Sequence, residues 1–142
     1  MTTIYTSFVD TSAFYALEDS DDRHHEEAGE IRRAIKRGDL PVRRLYTSNF
    51  VLDETLTLLR MNLGHGHAVD FGERLKESEI VALTRIDEEL EERAWEIFKA
   101  HKDKKYSFTD CTSFALMEKL SVDRTFAFDE NFEQYGFSAL TL

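Results

Sequence analysis

Four carboxylates stand where a parallel α/β protein does its chemistry: Asp10, Glu54, Asp110 and Asp129. Asp10 directly follows the apolar pair Phe8-Val9, and Asp129 follows Thr125-Phe-Ala-Phe128. Glu54 falls in the first turns of a helix after a second strand-like run, and Asp110 in the first turn of a helix opened by Ser107. In an open parallel sheet, the carboxyl ends of strands and the N-termini of helices share one edge, where ligands bind. The pattern therefore predicts that four acids far apart in sequence converge. Two like charges ~4 Å apart repel by ~4 kcal/mol at an effective dielectric of ~20. Four in one pocket call for a cation or for partial protonation. Oxygen-only ligands suit Mg²⁺ or Mn²⁺ rather than zinc. Such a cation is suited to phosphoryl chemistry, because it polarises a phosphate oxygen and acidifies water. Each acid also has a plainer reading. Asp10 can cap the helix that starts at Thr11, and Asp110 can be the third residue of a cap begun by Ser107. Glu54 can be a solvated first-turn acid, and Asp129 can cap a turn through Glu130-Asn131-Phe132.

The elements that would position these acids follow from periodicity. Strands are expected over 5–9, 44–48, 80–84 and 125–128, with a last short one at 138–140; the run at 80–84 reads as a buried strand. Short helices are expected over 11–17 and 67–76. Longer ones are expected over 21–37, with acids first, bases last and Gly38 beyond, and over 87–101. Leu52, Leu56, Leu59 and Leu63 form a helical stripe that stops at Gly64, and a further helix runs from Ser107 to about Lys119. Strands alternating with helices imply a parallel sheet with helices on both faces. The Leu stripe, with Phe71 and Leu75 after it, offers more apolar surface than one thin sheet should need, which predicts a two-fold dimer through this helical pair.

Composition narrows the class. The chain has 142 residues, suited to one domain over 1–142 with its own core. No apolar run reaches membrane-spanning length. The opening stretch 1–10 lacks a basic start and meets a carboxylate too soon for a signal peptide. The single cysteine, Cys111, excludes an internal disulfide and a Cys-based zinc site. The expected location is cytoplasmic. With 18 basic against 28 acidic residues and a net charge of −10, coating nucleic acid by bulk charge is excluded, although a nuclease with local basic patches is not.

At this point the motifs are familiar. Phe8-Val-Asp-Thr-Ser-Ala-Phe-Tyr-Ala-Leu17 resembles the opening of PIN-domain ribonucleases. Thr47-Ser-Asn-Phe-Val-Leu-Asp-Glu-Thr-Leu56 looks like their second motif, with Glu54 as its acid. Ser107-Phe-Thr-Asp-Cys-Thr-Ser-Phe-Ala-Leu-Met117 is similar to the third and is the most specific match. Thr125-Phe-Ala-Phe-Asp-Glu-Asn-Phe132 looks like the fourth. The resemblance covers nearly the whole chain, in order, and is nearest to VapC-type toxins of toxin–antitoxin pairs. It implies a three-layer αβα fold and an Mg²⁺- or Mn²⁺-dependent endoribonuclease. It also implies a homodimer held inactive by an antitoxin whose tail covers the acidic pocket. Carried over position by position, it makes Asp10 and Asp110 the principal metal ligands. Glu54 and Asp129 complete the pocket directly or through water, Ser12 supplies a hydroxyl near the metal, and Thr109 is a lesser candidate. Asp53 adjoins Glu54, and a one-residue shift exchanges their roles.

Other residues have competing readings. Lys102, Lys104 and Lys105 can contact RNA phosphates or simply solubilise a helix end. Arg32, Arg33, Lys36, Arg37, Arg43 and Arg44 can bind RNA, meet an acidic partner or form a solvated face. His24, His25, His65 and His67 lack zinc-ligand spacing, Cys111 reads as a buried small hydrophobe, and Trp95 reads as helix packing. Three alternatives to a toxin nuclease stay open. A PIN-like RNA-processing nuclease outside any toxin–antitoxin pair is the first. Phosphoryl transfer through an aspartyl intermediate is the second, but it usually wants an acid two residues after the nucleophile, where this chain has Ser12. A binding domain whose acids only cap helices is the third.

Overall fold

The computed structural model describes residues 3–142; the first two residues of the opening stretch lie outside it. Along the chain run β1 (Tyr5–Val9), α1 (Thr11–Glu18), α2 (His25–Arg37), β2 (Val42–Ser48), α3 (Asn49–Leu63) and α4 (His65–Glu77). There follow β3 (Val81–Thr84), α5 (Glu88–Ala100), α6 (Phe108–Leu120), β4 (Arg124–Phe126), α7 (Asn131–Tyr135) and β5 (Ser138–Ala139). The strands form one sheet in the order β3-β2-β1-β4-β5, and every neighbouring pair is parallel.

This order explains the layers. From β1 the chain steps outward to β2 and β3, then returns past β1 to β4 and β5. Right-handed crossovers in opposite directions place their helices on opposite faces. The pleat of β1 shows both sides. Phe8 faces Phe132 of α7, 6.2 Å between ring centres, and Phe132 packs edge-on against Phe114 of α6. Val9 faces the other way, into a groove of about 340 Å³ that it shares with Phe14, Ile35 and Phe71. Helix α6 is buried all round from Asp110 to Met117, as befits a helix sandwiched between the sheet and α5. The chain thus has the expected three-layer αβα architecture.

Several details depart from the sequence reading. Helix α2 starts at His25 rather than at 21, because Asp19 and Asp22 accept hydrogen bonds from the backbone N–H groups of Asp21 and His24. Such local bonds compete with the helix. Strand β3 is an edge strand with Leu83 38% exposed, not a buried one. Strand β4 ends at Phe126, so Asp129 lies in a loop instead of directly after a strand. Phe71, Leu75 and Leu59 are buried within the chain itself and offer nothing to a partner. On the helices the exposed large apolar side chains are instead Leu58 and Met61 on α3, Val69 on α4, and Trp95 and Phe98 on α5. Trp95, read as packing, is 48% exposed and stacks on Phe98.

Candidate active site

The strand order reverses between β1 and β4, and the acids gather at the carboxyl edge there. Asp10 follows β1 at once, and its backbone N–H donates to the Phe126 carbonyl of β4 at 3.0 Å. It also caps α1: its Oδ2 accepts from the Ser12 backbone N–H at 3.2 Å and from the Ser12 hydroxyl at 2.8 Å. Asp110 is the third residue of a full capping box. It accepts from the Ser107 backbone N–H through Oδ2 at 3.0 Å, while its own N–H donates to the Ser107 hydroxyl at 2.9 Å. The capping readings therefore hold for both residues. A cap fixes the rotamer, and the cap stands at the sheet edge.

In both aspartates Oδ2 takes these bonds, and Oδ1 receives no hydrogen bond from the described residues. Both side chains are nearly buried, at 4% and 7% exposure. Burial pushes both carboxyls above their ordinary range, to about 7 for Asp10, against the hydrogen bonds from Ser12 and Ser107 that pull down. The negative charge of Asp110 adds to the rise at Asp10, and that of Asp129 to the rise at Asp110.

Glu54 lies on α3, which begins straight after β2, and is half-buried. Its carboxyl is raised by burial first and then by the charges of Asp110 and Asp129. Its neighbour Asp53 is exposed. Of the two, Glu54 is thus the acid turned into the cluster. The start of α3 is tied to α1 by buried hydroxyls, with Thr11 donating to the Val51 carbonyl at 3.3 Å and Thr55 donating to Thr11 at 3.1 Å.

Asp129 is held from three sides. Its Oδ1 accepts from the Asn131 backbone N–H at 2.9 Å, the turn-capping role read from sequence. The preceding N–H, of Phe128, donates to the Ser12 hydroxyl at 2.9 Å. The Phe128 ring stacks on His24, 4.4 Å between centres and 5° from parallel. Ser12 is therefore a bridge between Asp10 and the Asp129 loop. Thr109 contributes a backbone carbonyl that accepts from Thr112 and Ser113.

Two residues here escaped the sequence reading. Asn131 places its Nδ2 at 3.0 Å from Asp110 Oδ2, with a long 3.5 Å contact to Asp129 Oδ2. Its position two residues after Asp129 was the available signal. His24 had none, since nothing local in the sequence announces its stack on Phe128.

The four acids thus meet in one electrostatic unit. Among the described residues, no three His, Cys, Asp or Glu side chains are close enough to grip one ion together. The arrangement fits a hard cation all the same. Mg²⁺ binds through one or two carboxylates and keeps several waters, and Asp10 Oδ1 and Asp110 Oδ1, which take no hydrogen bond from the described residues, are the oxygens that could hold it. Cys111, beside Asp110, is fully buried, and burial pushes its thiol up to about 11, so it is protonated and inert at neutral pH. The basic residues are exposed: Lys102, Lys104 and Lys105 precede α6, while Arg32 and Lys36 line the groove on the far side of β1. His67 and Arg74 both contact Glu18, at 2.9 and 2.6 Å, and His25 bonds the Ala16 carbonyl.

Comparisons with known proteins bear on this geometry. The family model for the PIN domain matches residues 7–138. The 23S rRNA-specific endonuclease VapC20 of Mycobacterium tuberculosis is 39% identical over 130 residues, 92% of this chain and 94% of the relative. A VapC ribonuclease of Archaeoglobus fulgidus is 32% identical over 127 residues, 89% of this chain and 78% of the relative. The crystal structure of M. tuberculosis VapC20, described as a sarcin-ricin loop cleaving toxin, superposes with a TM-score of 0.86 at 36% identity. That match covers 96% of this chain and all of the other.

Proposed function

The chain belongs to the PIN-domain family, and from that premise we propose that it is a metal-dependent endoribonuclease, the toxin of a type II toxin–antitoxin pair. The observation that carries this reading is the meeting of Asp10, Glu54, Asp110 and Asp129 at the switch point. Desolvation raises three of these carboxyls, an arrangement that costs stability unless a cation offsets it. In this reading Asp10 and Asp110 hold Mg²⁺ or Mn²⁺ through Oδ1, and Glu54 and Asp129 complete the pocket directly or through water. When bound, the cation polarises a phosphate oxygen and makes water a better nucleophile. Ser12 keeps Asp10 and the Asp129 loop in register. Among the described residues no side chain is placed as a nucleophile, and the Cys111 thiol is buried and protonated, so water attacks the phosphorus. The protein acts by positioning and by charge.

The substrate we assign is RNA, and within it a ribosomal RNA loop of the class named for the M. tuberculosis relative. The partner is an antitoxin carrying a cationic side chain that takes the metal's place among the acids. The protein acts as a single domain over 1–142, in the cytoplasm; no helix among the described residues is long and apolar enough to cross a membrane. It works as a homodimer. The supporting surface runs from Trp95 and Phe98 on α5 through Phe108 to Phe50 on α3, with Leu58 and Met61 exposed farther along that helix. Light scattering should then give twice the 16.5 kDa protomer mass.

The decisive experiment incubates purified protein with ribosomal RNA, with Mg²⁺ or Mn²⁺ and with EDTA. Cleavage should need the metal and leave 5′-phosphate and 3′-hydroxyl ends, because an external water needs no neighbouring 2′-hydroxyl. Cleavage in EDTA, or 2′,3′-cyclic phosphate ends, would overturn the mechanism.

A further inference from the structure

Asp110 and Asp129 come from segments that meet only in the folded chain, and one neutral side chain lies between them. Asn131 Nδ2 is 3.0 Å from Asp110 Oδ2 and 3.5 Å from Asp129 Oδ2. Both neighbours are carboxylates, which only accept when ionised, so the amide must turn its NH₂ toward them. Its two protons serve two acceptors. Asp110 Oδ2 then has two donors, Ser107 N–H and Asn131 Nδ2, arriving from different elements. That fixes the carboxylate plane and leaves Oδ1 without a protein donor among the described residues. Asn131 is itself anchored, because its backbone N–H donates to Asp129 Oδ1 at 2.9 Å at the start of α7.

We propose that Asn131 is a positioning residue of the acidic site: its amide orients Asp110 and Asp129 for a divalent cation, and its neutrality keeps the cluster at four carboxylates. The proposal rests on the metal-dependent reading given above and adds a residue to it. A donor at this place does two things at once. It screens the repulsion between the two acids, and it directs one oxygen of Asp110 away from the ion so that the other is free to bind. An aspartate at 131 would put a fifth negative charge within hydrogen-bonding distance of both acids. The cation would be held more tightly and the metal-free fold would be weakened.

The test measures Mn²⁺ binding directly, without RNA, from the loss of the free-ion electron paramagnetic resonance signal. Wild type, Asn131→Ala and Asn131→Asp are compared, with melting temperatures taken with and without Mn²⁺. Asn131→Ala should bind Mn²⁺ about tenfold more weakly. Asn131→Asp should bind it more tightly than wild type while melting lower in its absence, with Mn²⁺ restoring the difference. Opposite shifts in affinity separate positioning from a merely structural role, which would weaken both variants alike. Asn131→Ser, which keeps a small donor, should fall between wild type and Asn131→Ala, and it serves if the aspartate variant fails to fold. Affinities of Asn131→Ala and Asn131→Ser within twofold of wild type would overturn the inference while leaving the nuclease reading intact. A wild type that binds no Mn²⁺ would overturn both.

Discussion

Asp10 and Asp110 are 4% and 7% exposed, each with Oδ2 bound by a donor of its own helix start, joined at Asp110 by Asn131 of α7, whereas Glu54 and Asp129 are half-buried and approach from a helix side and a loop. The first pair is set by secondary structure. Capping bonds fix both rotamers, and the sheet edge fixes where the caps stand. The second pair is set by tertiary contact: Glu54 by the tie between α1 and α3, and the Asp129 loop by the contacts of Ser12 and His24 with Phe128. Where a cap and a site coincide, the same carboxylate helps its helix start and holds itself ready for a ligand. The cost is the unfavourable burial of its charge.

This difference between pairs can be broken by mutation. Asp10→Asn and Asp110→Asn keep an acceptor for the capping bonds but remove a charge that the cation needs. Each should lower cleavage by ~10³-fold or more, a loss of ~4 kcal/mol in transition-state stabilisation, with an unchanged circular dichroism spectrum. A variant of either residue that keeps a tenth of the activity would remove the distinction.

A second probe is the stability of the metal-free protein against pH. The Asp10, Asp110 and Glu54 carboxyls are all raised in the folded state. Between about pH 4 and 7 the folded protein therefore binds more protons than the unfolded chain. The contribution of these groups to stability is full below about pH 4 and is lost as pH rises through the Asp10 value of about 7. At pH 7.5 without metal, Asp10→Asn should be more stable than wild type by about 2–4 kcal/mol, with the gap closing on acidification. Denaturant melts at several pH values test this, and added Mn²⁺ should flatten the wild-type slope.

Glu54→Gln and Asp129→Asn should cost less, about 10- to 100-fold in cleavage, and should recover in part at high metal concentration. If they match Asp10→Asn and show no recovery, all four acids are equivalent. The smallest effect is expected outside the cluster. Replacing Lys102, Lys104 and Lys105 together by Ala should raise KM a few-fold at constant kcat and flatten the salt dependence of RNA binding by about two units of slope. An unchanged salt slope would mean that this loop does not touch RNA.

What could be read from the sequence followed the same division. The bounds of β1, the end of α3 at Gly64 and the capping box at Ser107 are local signals, and each is found in the structure. Asp10 and Asp110 were legible because their caps are written in adjacent residues. The early end of β4 was not. The Phe128 N–H goes to the Ser12 hydroxyl, 116 residues away in sequence, and the chain leaves the sheet before Asp129. The contacts of Asn131 with Asp110 and of His24 with Phe128 are likewise long-range and leave no periodic trace. The apolar stripe on α3 was visible, but not which of its residues would be covered. That depended on α4, whose Phe71 and Leu75 turn inward.

The strand order also governs when the edge can exist during synthesis. β1 lies between β2 and β4, so a growing chain pairs β1 with β2 first and leaves the other side of β1 bare. The Asp10 N–H meets the Phe126 carbonyl, and Ser12 meets Phe128, only after β4 has left the ribosome. A fragment that stops before β4 lacks Asp129 and the bonds that hold Asp10 in register. Of the elements described, β4 and the loop that follows it are what complete the site.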